Sequence, residues 1–179
     1  MGKPSEAFNC LLGLSRQYAE SDRGLPAQVD VAPTRAVVCF TLLGANLAVA
    51  LDEVSELLEL PATTRLPRVK SWVRGVANVR GNLLPVIDFA EFLGGALVTP
   101  PKQQRVIVLD IEDIFVGLAV DRVYAMRHFR LDTYSLSVES APEVLQSYLQ
   151  GSFTYEDESW SMLRPSLLIQ DSRFMAVAA

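Results

Sequence analysis

From residue 35 onward the apolar residues fall in short dense runs parted by turn-forming ones: AVVCFTLLG (36–44), NLAVAL (46–51), EVSELLEL (53–60), WVRGVANV (72–79), LLPVIDF (83–89), QRVIVLDI (104–111), IFVGLAV (114–120) and RVYAMRHF (122–129). Runs of this length, rich in Val, Ile and Phe, predict β-strands. So many at this spacing predict small barrels or a sandwich, not alternating βαβ units. One stretch, GVANVRGNLLPVIDF (75–89), predicts a strand, a turn at Arg80-Gly81-Asn82 and a second strand, which puts a cation at the tip or shoulder of a hairpin. Elsewhere the period becomes helical. Phe8, Leu11, Leu12, Ser15, Tyr18 and Ala19 recur at helical spacing within residues 1–24, with Ser5 as N-cap, Glu6 in the first turn and Gly24 with Pro26 as the stop. Residues 25–34 (LPAQVDVAPT) have prolines at both ends and no period, and read as an extended linker. Two further helical pieces are DFAEFLGG near residue 90 and RPSLLIQDSRFMAV at the C-terminal end.

The pattern also repeats. Aligning AVALDEVSEL (48–57) with GLAVDRVYAM (117–126) sets Asp52 on Asp121 and Val54 on Val123. Further on, WVRG (72–75) matches YLQG (148–151), and NLLPVIDFAEFL is echoed by the strand-then-helix SWSMLRPSLLI. The period is too long and the copies too few for a solenoid, so two related small barrels packed on each other are expected. The expected division is residues 1–34 as N-terminal helix and linker, a body over 35–174 with barrel 1 roughly 35–95 and barrel 2 roughly 96–174, and a tail at 175–179.

Composition narrows the function classes. With 50% hydrophobic and 21% charged residues over 179 positions, the chain buries a sizeable core. A net charge of −5 and no basic run argue against a nucleic-acid binder. No apolar stretch approaches the roughly 18 residues of a spanning helix and no signal peptide opens the chain, so a cytoplasmic location without membrane insertion is expected. Cys10 and Cys39 share no metal-type spacing with each other or with His128, and a pair of buried free thiols is expected. One histidine excludes a His-rich metal site, and it excludes a Ser/His/Asp or Cys/His catalytic group unless His128 serves it. No cofactor is called for.

The individual residues mostly have structural readings. GVANVRGN lacks the lysine followed by Ser or Thr that a phosphate-cradling loop needs. Arg80 has two readings: a guanidinium tying down turn carbonyls or pairing with Asp88 across the hairpin, or an exposed cation anchoring a partner. Asp52 and Asp121, each at a strand end, are expected to make Asx-type turn bonds to nearby backbone N–H groups. Glu53 and Glu56 read as a solvated edge or as part of a recognition face. His128 reads as a strand-end residue, Glu156-Asp157-Glu158 as a solvated hairpin turn, and Trp72 and Trp160 as core. The result is a scaffold without a reaction centre, which leaves binding as the class of function; the rivals are an enzyme centred on His128 and a small-barrel nucleic-acid binder.

The stretch SWVRGVANVRGNLLPVIDFAEFLG resembles the signature of the CheW-like chemotaxis coupling proteins through Trp72, Gly75, Val76, Asn78, Val79, Arg80, Gly81, Pro85 and Asp88, and the resemblance extends over about residues 36–170. It implies a mainly β fold of two small five-stranded SH3-like β-barrels sharing a core, with short helices and an N-terminal amphipathic helix. It also implies a non-enzymatic adaptor with two partners: the regulatory domain of a CheA-type histidine kinase and the cytoplasmic tip of a methyl-accepting chemoreceptor, whose helical hairpin would lie in a groove between the barrels. The partner-binding residues it implies are Arg80, Asn78, Gly81, Val54, Glu56, Val106 and Val108. GLPAQ, the wording of residues 69–89 and the C-terminal segment resemble the adaptors of twitching-motility systems that control type IV pili; an adaptor of flagellar chemotaxis is the alternative. Arg164-Pro165 stands where the family has an acidic residue, so no role of that residue is carried over. The N-terminal helix either lays Phe8, Leu11 and Leu12 on the barrels or binds a partner.

Overall fold

The computed structural model describes residues 8, 10–15, 32–111 and 114–178. The chain divides into two units, Met1–Val31 and Ala32–Ala179. In the first, residues 10–15 are helical, with Leu11, Leu12 and Leu14 exposed; the expected linker lies, over residues 25–31, outside the described residues.

The second unit is mainly β. Its strands are β1 Thr34–Leu42, β2 Ala45–Ala50, β3 Val54–Glu59, β4 Val73–Val79, β5 Asn82–Asp88, β6 Arg105–Ile111, β7 Ile114–Val120, β8 Arg122–Arg130, β9 Tyr134–Ser135, β10 Leu149–Tyr155 and β11 Glu158–Leu163. The short helices are α1 Phe89–Phe92, α2 Glu143–Gln146, α3 Pro165–Gln170 and α4 Ser172–Met175. They form two sheets, ordered β8-β1-β2-β11-β10-β9 and β3-β6-β7-β5-β4.

These orders show what the internal repeat builds. The first copy runs β1, β2, β3, β4, β5, α1, and the second runs β6, β7, β8, β10, β11, α3. In each copy the first two strands form an antiparallel hairpin, while the third crosses over to pair with the first strand of the other copy: β3 with β6, β8 with β1. The last strand of each copy then lies parallel to the second strand of the other, β5 beside β7 and β11 beside β2. Each sheet therefore takes two strands from one copy and three from the other. This corrects the division near residue 95: the repeat unit is not the barrel, and β1 and β2 share a sheet with the C-terminal strands. Nor is the C-terminal end a loose tail, because Ala178 pairs with Val69 and the Lys70 N–H donates to the Val177 carbonyl at 2.9 Å.

Burial follows from this interlocking. One core lies between the sheets and includes Phe40, Leu42, Leu47, Phe89, Ile107, Leu109, Leu118 and Leu168. A second fills the six-stranded sheet (Val37, Cys39, Phe129, Phe153, Trp160, Met162) and a third the five-stranded one (Ala77, Leu84, Val86, Val106, Val108, Ala119). Alternate residues of β1 and β6 thus face two different cores. That is why these strands read as unbroken apolar runs instead of the one-sided alternation of a half-exposed strand.

Candidate partner interface

The β4–β5 hairpin closes at Arg80 and Gly81, with φ of +52° and +90°. Positive φ at both central residues is the type I′ pattern, which matches the twist of the flanking strands and favours Asn-Gly. A side-chain-bearing residue in the left-handed region costs about 1 kcal/mol. Asn78 supports the turn, its Oδ1 accepting from the Gly81 N–H at 2.9 Å. Arg80 itself makes no hydrogen bond to a turn carbonyl and does not pair with Asp88. Its guanidinium reaches Glu56 of β3 at 2.6 Å, with the Arg80 side chain 80% exposed. Since β3 and β4 are the two outer strands of their sheet, this ion pair spans the seam where the sheet curls closed.

The structure therefore brings Arg80, Gly81, Asn78 and Glu56 together, with Val54 two residues before Glu56 on β3 and partly buried against the inter-sheet core. It does not bring Val106 and Val108 to them. Both are fully buried in the core of the five-stranded sheet, so their expected exposure to a partner is corrected. The surface apolar area comes from the crossover strands instead. Leu57, Leu58 and Glu59 of β3, Arg105 of β6, and Val123 and Tyr124 of β8 line a depression of about 250 Å³ where the sheets meet. Leu57 and Tyr124 are about half exposed there, and Met126 lies further along β8. Leu57 and Tyr124 could have been found in the sequence only by knowing that β3 and β8 both cross between sheets.

A second feature missed in the sequence is the arginine that does hold the motif together. Arg74, not Arg80, pairs with Asp88: its Nη2 and Nε donate to Oδ2 at 2.7 and 3.1 Å, and its Nη1 donates to Gln104 Oε1 at 3.0 Å. The other Asp88 oxygen accepts from the Glu91 N–H at 3.0 Å and caps α1. Gln104 donates in turn to the Thr99 carbonyl at 2.8 Å, and Thr99 meets Asp121. Asp121 is buried and accepts from the N–H groups of Val98, Thr99 and Leu43 at 2.7, 3.0 and 3.3 Å. It is a long-range anchor for the loop after α1 and not the local Asx turn expected. Its repeat partner Asp52 sits exposed in the 3₁₀ turn after β2. In the second copy Arg164 replaces Asp88, no side chain caps α3, and Pro165 at the first helical position starts it.

The remaining residues divide between structure and solvent. His128 is an exposed position within β8, and Glu156 and Asp157 form the exposed β10–β11 turn with φ of +50° and +64°. Trp160 is buried, whereas Trp72 is only partly so, set among the rings of Phe92 and Phe174. Both thiols are free, but only Cys39 is buried; Cys10 is exposed, against expectation. Burial pushes the Cys39 thiol up to about 11 despite the nearby Arg127. Burial also raises the Glu53 carboxyl, with Asp52 adding to the effect and Arg35 opposing it. Near α4, Arg173 and the Tyr148 hydroxyl, which donates to Asp171 at 2.6 Å, hold the Asp171 carboxyl well below the usual range, while burial and Asp171 raise the Tyr148 phenol to about 12. No group of three or more metal-ligating side chains is found among the described residues.

Two interlocked barrels with a charged hairpin at a seam and an apolar depression between the sheets form a binding module. The chain belongs to the CheW-like domain family, whose model matches residues 36–173, a family of non-enzymatic scaffold proteins. It is 38% identical to Protein PilI of Pseudomonas aeruginosa over 96% of both chains. It is also 32% identical to Protein FrzA of Myxococcus xanthus, over 88% of this chain and 98% of that one. Chemotaxis protein CheW of Bacillus subtilis is 29% identical over 65% of this chain and 72% of its own. The scaffolding protein TtCheW from Thermoanaerobacter tengcongensis shares the fold, with a TM-score of 0.65 at 20% identity over 74% of this chain and 90% of that one.

Proposed function

We propose that this chain is the adaptor of a chemosensory pathway controlling type IV pilus twitching motility, joining methyl-accepting receptors to a CheA-type histidine kinase. The observation that carries this reading is the 38% identity to Protein PilI over nearly the full length of both chains, which takes in the segment before the barrels. The site supports an adaptor by its chemistry. A receptor's helical hairpin needs an apolar trough with a few polar fixing points. The depression lined by Leu57, Val123 and Tyr124 offers the trough, and Arg80 with its Glu56 partner the fixing points. Val54 and Glu56 on β3 face the kinase or the receptor, and Asn78 with Gly81 presents Arg80. The chain works at receptor arrays without entering the membrane; no described helix is long and apolar enough to cross one.

A second reading, an adaptor of flagellar chemotaxis, is favoured by the similarity to CheW proteins such as that of Bacillus subtilis, which covers only part of the chain. Capture of partners from a lysate of the source bacterium separates the two. Recovery of a kinase and receptor belonging to a pilus system supports the first reading; recovery of those serving flagella replaces it with the second.

A further inference from the structure

Between Arg65 and Ile87 the chain has five cations, Arg65, Arg68, Lys70, Arg74 and Arg80, and no carboxylate, although its net charge is −5. The fold gathers three of them. Arg65, Lys70 and Arg74 line a cleft of about 630 Å³ together with Thr63, Leu66, Val69, Ser71, Val73, Asp88 and Glu91. Arg74 is committed to Asp88, whose two oxygens are both occupied by hydrogen bonds, so the floor of the cleft is close to neutral. Arg65 and Lys70 enter no ion pair among the described residues.

The rim is held in place by backbone. Thr64 and Val76 exchange N–H···O=C bonds of 2.8 and 3.0 Å, and this close crossing requires a glycine at 75, with φ of +131°: a Cβ there would lie 2.2 Å from the Thr64 carbonyl oxygen. The C-terminal segment clamps the other end of the rim through Lys70 and Val177. The cleft is therefore preformed, and an entering ligand has little chain to order.

We propose that this cleft docks an acidic peptide segment of a partner protein, with carboxylates on Arg65 and Lys70 and flanking apolar side chains on Leu66, Val69 and Val73. The apolar lining favours a peptide over a free phosphate, which has no use for it. This site is distinct from the Arg80 hairpin and does not rest on the adaptor reading.

The test is a titration of the full chain with a synthetic decapeptide of alternating Glu and Leu, followed by the emission of Trp72, which lies between the cleft residues Ser71 and Val73. Inorganic phosphate at matched ionic strength is the competitor. Arg65→Ser with Lys70→Ser should weaken peptide binding about tenfold, whereas Arg122→Ser, an exposed cation elsewhere, should leave it unchanged. Because Lys70 holds the clamp through its backbone, the double variant should keep the wild-type melting temperature. Equal loss in both variants would reduce the effect to diffuse attraction and overturn the proposal. So would displacement of the peptide by phosphate at equal concentration, or an absence of binding at millimolar peptide.

Discussion

Arg74 and Arg80 stand six residues apart in one motif and should respond to truncation in opposite ways. Arg74→Ala leaves Asp88, 7% exposed, without its cation, and Gln104, 4% exposed, without the donor to its carbonyl oxygen. Breaking one side of a buried pair costs about 3–5 kcal/mol. The Arg74 side chain is 25% exposed, so water can enter and solvate the remaining carboxylate. That puts the cost at the lower edge of the range, about 3 kcal/mol. Arg80→Ala removes an ion pair whose cation is 80% exposed, which is worth at most about 1 kcal/mol. In urea unfolding followed by far-UV circular dichroism, with a slope of roughly 2 kcal/mol per molar, Arg74→Ala should lower the midpoint by about 1.5 M and Arg80→Ala by less than about 0.5 M. The cycle of Arg74→Ala, Asp88→Ala and the double variant should show coupling above about 1 kcal/mol. Equal midpoints for the two arginine variants would refute the assignment of Arg74 to structure, and a large loss in Arg80→Ala would return Arg80 to holding its own barrel together.

Other outcomes follow from the same geometry. Gly75→Ala drives a methyl to 2.2 Å from the Thr64 carbonyl oxygen, and should destabilise more than Gly81→Ala, whose Cβ meets nothing within 4 Å; loss of hydrogen-exchange protection at Thr64 and Val76 would mark the opened crossing. In the native protein at pH 8 a thiol reagent should label Cys10 and spare Cys39, which reacts only on unfolding. The Asp171 carboxyl is depressed on folding, so its contribution to stability is full above the unfolded carboxylate value of about 4 and is lost as pH falls below it. Asp171→Asn should flatten that acid limb of the stability profile, and an unchanged limb would show that Arg173 and Tyr148 do not hold the charge. The Tyr148 phenol should ionise near 12, later than the exposed tyrosines, in a spectrophotometric titration.

The motif and the repeat were legible in the sequence because both depend on local geometry. Gly75 and Gly151 match in the alignment, and both sit at bulges of the fourth strand of their copy with positive φ. The crossing of β3 and β8 between sheets was not legible, since the same strand pattern serves a barrel closed within one copy and a barrel closed between two. The misplacement of Val106 and Val108 follows from that: a strand with a core on each face has no outward apolar side, and alternation alone cannot say so. Asp121 looked like a local turn former because its partners, at residues 43, 98 and 99, are distant in the chain. Arg74 passed unnoticed beside Arg80 because only the pairing of β4 with β5 brings it onto Asp88.

The central claim is that this folded but non-catalytic chain joins a receptor to a kinase through the surface that Arg80 marks. It is tested most directly by capturing partners from a lysate of the source bacterium with the wild type and with Arg80→Ala, and identifying them by mass spectrometry. The account predicts recovery of a histidine kinase and a methyl-accepting receptor of a pilus system by the wild type, with the receptor depleted in the variant while its fold is kept. Equal recovery of the receptor by both proteins, or recovery of neither partner by the wild type, would contradict it.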